Sequence, residues 1–208
     1  MKYLLSLLLS ACSQNIPISP EPTPPAAPSQ NNFSNNNLKT LALYVGSDNV
    51  CGAAWISQHY ALTAQHCLLP SAFLATFDNQ LLQFSIAKQD KDSDLALLKL
   101  DPPPHPFFSI APPPSQGDPI FLISHSNLLD WSLKTSIVSS IRPIVGSHSK
   151  GPFIQIQTPI FHGDSGSPIF NSSNQLLGVV SFSVKDKNIG FSTHPSTLRS
   201  FLADITLN

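Results

Sequence analysis

From about residue 38 onward the chain alternates short apolar runs with clusters of Gly, Asn, Asp and Pro. Residues 41–45 and 53–56 open the series. Residues 73–77, 81–86, 95–100, 120–124, 135–141, 153–157, 168–170, 176–183 and 188–192 continue it. Apolar runs of this length bounded by turn-forming residues are the pattern of buried strands. No long stretch places apolar residues every three or four positions until the end. There, residues 197–202, following Pro195, read as a short closing helix with Ser196 as its N-cap. Many short strands at even spacing predict an all-β barrel or sandwich.

Three stretches depart from this pattern. Residues 12–37 are rich in Pro, Asn, Ser and Gln, including Pro20-Glu21-Pro22-Thr23-Pro24-Pro25 and Asn35-Asn36-Asn37. Such a segment has too little apolar surface to offset its ordering entropy and is expected to be a disordered tether. A proline-rich ligand for a partner domain is the rival reading, with no basic anchor beside it. Residues 102–118 hold Pro102-Pro103-Pro104 and Pro112-Pro113-Pro114 around Phe107-Phe108. Proline cannot donate to a strand ladder, so this stretch is expected to link two halves, about 38–101 and 119–195, with the helix at about 196–206. Residues 1–11 begin Met1-Lys2-Tyr3 and continue with Leu4-Leu5-Ser6-Leu7-Leu8-Leu9, too short an apolar run to span a bilayer, and read as an export signal. Leu9-Ser10-Ala11-Cys12 resembles the bacterial lipoprotein box, which implies cleavage before Cys12, acylation of that cysteine and attachment to a membrane by lipid. A plain leader with a chance cysteine is the alternative.

Charge narrows the function classes. Only 11% of the 208 residues are charged and the net charge is -1. That leaves no broad electrostatic attraction to nucleic acid or to an anionic membrane surface. The 41% of hydrophobic residues suffices for a core.

The chemistry concentrates in Phe161-His162-Gly163-Asp164-Ser165-Gly166-Ser167-Pro168. A serine between two glycines, with a carboxylate just before it, suits a tight turn that exposes a hydroxyl and aims backbone N–H groups at one point. A Gly/Ser/Asp turn joining two strands is the plain alternative. A serine hydroxyl becomes a useful nucleophile only with a base in reach and a third group to hold that base. Leu62-Thr63-Ala64-Gln65-His66-Cys67 supplies a histidine, and Asp92-Ser93-Asp94-Leu95-Ala96-Leu97-Leu98 supplies an aspartate. His59, His105, His125, His148, His162 and His194 are the competing histidines, with His162 placed to line a pocket mouth, and Asp90 and Asp92 are the competing acids.

Together the three motifs resemble those of the chymotrypsin-like serine proteases, in which T-A-x-H-C carries the base, D-x-A-L-L the acid and G-D-S-G-x-P the nucleophile. The resemblance implies a fold of two six-stranded antiparallel barrels, with the site in the cleft between them. It implies His66, Asp94 and Ser165 as the catalytic triad, and the N–H groups of Gly163 and Ser165 as the oxyanion hole. It also implies a Cys51–Cys67 disulfide that braces the loop of His66, in keeping with export. Two buried free thiols are the alternative. A metal site at Cys51, Cys67 and His66 is disfavoured by their spacing, and no cofactor is expected.

In many such relatives the aspartate before the nucleophile pairs with a new N-terminus after cleavage. No activation-site sequence precedes the first strand here, and Arg142 is the expected partner of Asp164. The substrate pocket is expected from Pro159, Ile160, Phe161, Val180, Ser181, Phe182, Ser183 and Gly190. No carboxylate stands at its base, where Pro159 falls, so cleavage after Arg or Lys is disfavoured. The ending, 190–202, also resembles the bacterial glutamyl endopeptidases, but Ile160 and Val180 replace their Thr and His. The expected substrate therefore carries an apolar or small residue before the scissile bond, and Ser181-Phe182-Ser183 is the edge expected to pair with it. The expected protein is an exported, lipid-anchored, monomeric serine endopeptidase of the bacterial envelope acting on proteins or peptides. A non-catalytic binding module on a protease fold and an HtrA-type envelope quality-control protease are the alternatives.

Overall fold

A computed structural model of the chain describes residues 35–129, 131–145, 150–184 and 187–207, with only the backbone of Asn49, Val50 and Leu128. The first half is one antiparallel sheet of seven strands. These are β1 (Thr40–Val45), β2 (Asp48–Trp55), β3 (Tyr60–Thr63), β4 (Phe73–Ala75), β5 (Leu81–Leu82), β6 (Ser85–Asp90) and β7 (Leu95–Lys99), in the order β5-β4-β1-β2-β3-β7-β6. The second half is a closed barrel of six strands: β8 (Pro119–Ser124), β9 (Ser132–Arg142), β10 (Phe153–Ile156), β11 (Pro168–Phe170), β12 (Leu176–Val184) and β13 (Ile189–Thr193). Its order is β10-β13-β12-β11-β8-β9. The mostly-β, two-half fold with a short final helix is therefore as expected, with one correction: the first half has seven strands and is a half-barrel, its edge strands β5 and β6 not joining.

The hydrophobic pattern explains which strands lie where. Leu95 to Leu98 of β7 are all buried, as a continuous apolar run requires when both faces are covered. The edge strand β6 is mostly exposed and accommodates Lys88, Gln89 and Asp90. Leu41, Leu43, Trp55, Leu74 and Leu98 fill the first half. Ile120, Leu122, Val138, Ile154, Ile156 and Ile169 fill the barrel. A third cluster, with Leu62, Leu97, Phe121, Ile123, Phe170, Leu198 and Phe201, joins the halves and the helix α1 (Pro195–Leu202). Each fully buried Leu or Phe contributes about 1.5–3 kcal/mol of transfer free energy, so this shared cluster resists separation of the halves.

The proline-rich linker lies in the seam: the Phe108 N–H donates to the Trp55 carbonyl at 2.9 Å and the Ala111 N–H to the Leu176 carbonyl at 2.8 Å. Regular structure is present before the expected residue 38. Residues 35–37 form a helical turn, and the Asn36 side-chain amide donates to Asn174 Oδ1 at 2.6 Å. The expected leader, Cys12 and the tether as far as residue 34 lie outside the described residues. The N-cap of α1 is His194 rather than Ser196: Pro195 occupies the first helical position, and His194 Nδ1 accepts the Ser196 N–H at 3.2 Å. Among the described residues no helix is long and apolar enough to cross a membrane.

Candidate active site

Strand β3 runs into a short 3-10 turn, Gln65–Cys67, that carries His66. Cys67 is bonded to Cys51 of β2, with 6.1 Å between their Cα atoms, so the turn is tied covalently to the sheet. Asp94 stands at the entrance to β7 in the left-handed region, φ 53°, a conformation aspartate tolerates better than most residues. Its carboxylate is buried and takes three donors from the described residues. His66 Nδ1 lies 3.0 and 2.9 Å from its two oxygens, the His66 backbone N–H reaches Oδ1 at 3.1 Å, and Ser181 Oγ makes a short bond to Oδ2. A carboxylate accepts only, so Nδ1 carries the proton in the neutral ring and Nε2 is left as an acceptor.

The turn that carries Ser165 is built from backbone and one buried ion pair. Gly163 and Gly166 have φ of 93° and 75°, and a Cβ at either would collide with backbone: His125 O at 2.2 Å for Gly163, Gly52 O at 2.2 Å for Gly166. The Asp164 N–H donates to the Phe161 carbonyl and the Ser167 N–H to the Asp164 carbonyl, both at 3.1 Å, folding the loop back on itself. Among the described residues the N–H groups of Gly163 and Ser165 and the Ser165 hydroxyl make no hydrogen bond.

The sequence placed Arg142 beside Asp164, and the structure corrects this. Arg142 is exposed on β9, where its Nε donates to Gln155 at 3.0 Å. Asp164, with no exposed surface, is held instead by Lys134 Nζ at 2.6 Å, by the Phe161 N–H at 2.8 Å and by Ser126 Oγ.

The two halves meet at this turn. The Gly52 N–H of β2 donates to the Ser165 carbonyl and the Gly166 N–H to the Val180 carbonyl, each at 2.7 Å. Val180 precedes Ser181, the donor to Asp94, so a short path of bonds links Ser165 to Asp94 and His66.

Beside the turn is a cavity of about 340 Å³ lined by Pro159, Ile160, Phe161, Ser183, Val184, Asn188 and Ile189. Four of the eight expected pocket residues line it, and none of its lining residues is charged. The other four stand behind it. Val180 is buried in the barrel core, Ser181 is turned to Asp94, and Phe182 stacks on Phe191 with ring centroids 4.9 Å apart. Gly190 is covered by Ile160, whose Cγ1 would lie 2.4 Å from an added Cβ. Past Val180, β12 leaves β11 behind and continues in its pairing with β13 as far as Val184.

Comparison with known proteins fits this geometry. The sequence profile of the trypsin-like peptidase domain matches residues 44–179, most of the described domain. The chain belongs to the trypsin-like peptidase family. Within it, the chain is 30% identical over 180 residues to the chloroplastic Protease Do-like 1 of Arabidopsis thaliana, covering 77% of this chain and 39% of that one. It is 29% identical over 124 residues to a probable periplasmic DegP-like serine endoprotease of Pseudomonas fluorescens, covering 58% of this chain and 26% of that one. The chain thus spans well under half the length of these curated relatives. A serine endoprotease from Yersinia pestis shares the fold, with a TM-score of 0.74 over 86% of this chain and 67% of that one at 21% identity.

The remaining candidates of this trypsin-like peptidase domain have other tasks. His59 lies 3.9 Å from Asp101, His105 stacks on Trp55, His125 packs edge-on against Trp131, and His194 caps α1. His162 is exposed at the start of the Ser165 turn, with its carbonyl accepting the Asn127 N–H, and His148 lies outside the described residues. Asp90 and Asp92 pair with Lys150 at 3.1 and 3.5 Å. Burial pushes the Asp90 carboxyl up, but hydrogen bonds from Lys150 and the Asp92 N–H outweigh it and hold the group below the usual carboxylate value. Cys51, His66 and Cys67 lie close together, but both sulfurs are spent in the disulfide, which leaves no thiolate for a metal. Ser126 and Lys134 carry no signal in the sequence, because neither lies near a motif and the barrel register brings them under Asp164.

Proposed function

We propose that the chain is a serine endopeptidase in which Ser165 attacks the scissile carbonyl, His66 moves the proton and Asp94 holds the imidazole. One observation carries this reading: the Asp94 carboxylate grips His66 Nδ1 at 2.9 Å beside a turn whose Gly163 and Ser165 N–H groups are unclaimed. His66 Nε2 accepts the Ser165 proton as Oγ attacks, and the resulting imidazolium is stabilised by Asp94. The oxyanion that forms is met by the two N–H groups, which need no reorganisation when charge develops. His66 then donates the proton to the leaving amine, water enters, and the acyl-enzyme is hydrolysed by the same steps in reverse.

Residues 181–183 of β12, beyond its last pair with β11, are the segment assigned to an extended peptide held by main-chain hydrogen bonds. With Ile160 over Gly190 the adjoining cavity is lined by uncharged residues, which favours an apolar or small residue before the scissile bond. The periplasmic relative and the sequence around Cys12 support an exported, lipid-anchored envelope protein. Loss of membrane retention in Cys12→Ser is the check on the anchor.

The activity is tested by labelling the purified chain with a fluorophosphonate. Wild type is expected to label, Ser165→Ala and His66→Ala to remain unlabelled, and kcat on peptides to drop by on the order of 10⁶ in either variant. Folded wild type that never labels would sink the endopeptidase reading. A peptide library cut mainly after charged residues would sink the specificity reading alone.

A further inference from the structure

We infer that Lys134 is the positioning residue of the oxyanion turn, acting through Asp164, so that the turn is set by a cation from inside the barrel. This rests on the endopeptidase reading above. Asp164 immediately precedes Ser165, and its carboxylate has no exposed surface. A buried carboxylate without a counter-charge is costly, and it moves to water if its chain allows. Among the described residues its donors are Ser126 Oγ, the Phe161 N–H and Lys134 Nζ, and only the last carries charge. The place of Lys134 Nζ therefore decides the place of the carboxylate and of the two peptide groups around it.

The lysine is well fixed for that task. It pairs with Leu122 across β8 and β9, and Leu122 pairs in turn with Ile169 of β11, just past the nucleophile turn, so its backbone is locked by the closed barrel. The side chain is only 18% exposed, which spares its attraction to Asp164 from most solvent screening. The same ammonium donates to the Pro159 carbonyl at 3.4 Å and stands 5.2 Å from the centre of the Phe161 ring. One cation thus ties the pocket wall, the turn and the barrel together. With the charge removed, Asp164 swings toward water, the peptide groups on either side rotate, and the Gly163 and Ser165 N–H groups cease to converge. Because Lys134 already supplies the counter-charge, the Asp164 carboxylate needs no second cation.

The test compares kcat and KM on a peptide ester for the full chain and five variants: Lys134→Met, Lys134→Arg, Asp164→Asn, the double Lys134→Met/Asp164→Asn, and Arg142→Ala. Lys134→Met is expected to lower kcat about 10²–10³-fold, the scale of a lost oxyanion donor, with KM changed far less. Lys134→Arg restores most of the rate because the charge returns. The double variant outperforms Lys134→Met at least tenfold, because no uncompensated carboxylate is left, and Arg142→Ala matches wild type. If Lys134→Met fails to fold while the double variant folds, the unpaired carboxylate is the cause and the inference stands. Unchanged kcat in Lys134→Met, a double variant no better than the single, or misfolding of both overturns it. Should wild type show no turnover, the endopeptidase reading falls by itself. The amide resonances of Gly163 and Ser165 then decide the inference: it requires them to move in Lys134→Met and return in Lys134→Arg, and resonances that stay put would overturn it.

Discussion

The two halves of the domain hold their share of the site by different forces. The first half is an open sheet, and it carries His66 on a three-residue turn fixed by the Cys51–Cys67 bond and the Asp94 carboxylate. The second is a closed barrel, and it carries Ser165 on a turn fixed by backbone hydrogen bonds, two left-handed glycines and the buried Lys134–Asp164 pair. A sheet with free edges supplies fewer constraints to its loops, and a covalent bond makes up the shortfall. A closed barrel fixes the register of every strand, which lets it aim a lysine 30 residues away at one carboxylate. The halves should therefore fail under different insults, the first to reduction and the second to loss of buried charge or of space at the seam.

The seam is where the difference can be broken outright. Gly166→Ala places a methyl group 2.2 Å from Gly52 O and 2.3 Å from Thr63 Oγ1, with φ at 75°. Backbone cannot yield as a flexible side chain can, so a loss of about 4 kcal/mol or more is expected, read as a fall in the urea midpoint, with activity lost as well. Adding Thr63→Ala removes one clash and leaves the other, so the double variant should recover little. Full recovery would show that the side chain alone was at fault and that the halves are less tightly joined than the Gly52 contacts imply.

A smaller effect sharpens the contrast. Replacing Cys51 and Cys67 with Ala opens a bridge of sequence separation 16, worth about 3 kcal/mol of unfolded-state entropy. Because Cys67 adjoins His66, kcat should fall as well, even at temperatures where the variant is fully folded. Thermal unfolding and kcat measured with and without reductant on wild type give the same comparison. Lost stability with kcat intact would mean that Asp94 alone fixes His66.

The same contrast explains what could be read from sequence. Strand β11 falls on the expected residues 168–170, and most other apolar runs became strands within a few residues, because burial on both faces leaves a continuous signal. Strand β3 was missed, since Tyr60-Ala61-Leu62-Thr63 is short and merges with the histidine motif. Residues 81–86 read as one strand but divide into β5 and β6, the second continuing through polar residues to Asp90 because an edge strand tolerates them. His66, Asp94 and Ser165 stand out in the sequence because each lies in a local motif, and the structure sets His66 on Asp94. Lys134 was not, because its pairing with Asp164 is set by register across a barrel, and a lone lysine on an alternating strand reads as solvent-facing.

The finest test lies in α1, which packs Leu198 and Phe201 into the cluster shared by both halves. Its N-cap, His194, is 5% exposed, accepts the Ser196 N–H through Nδ1, and lies 2.7 Å from the Ser196 hydroxyl. Burial, and after it the positive charge of Arg199, holds its pKa below the ordinary histidine value. The native state therefore binds this proton less readily than the unfolded chain. The stabilisation is complete above the ordinary value near 6.5 and is lost as pH falls through the lowered native value. Protonation also removes the acceptor that caps the helix, an interaction worth about 1 kcal/mol. Urea midpoints at successive pH values should therefore fall on acidification. In His194→Asn the slope should flatten, with little cost at neutral pH because asparagine caps well without titrating. An unchanged slope in that variant would place the acid sensitivity elsewhere and leave α1 as packing alone.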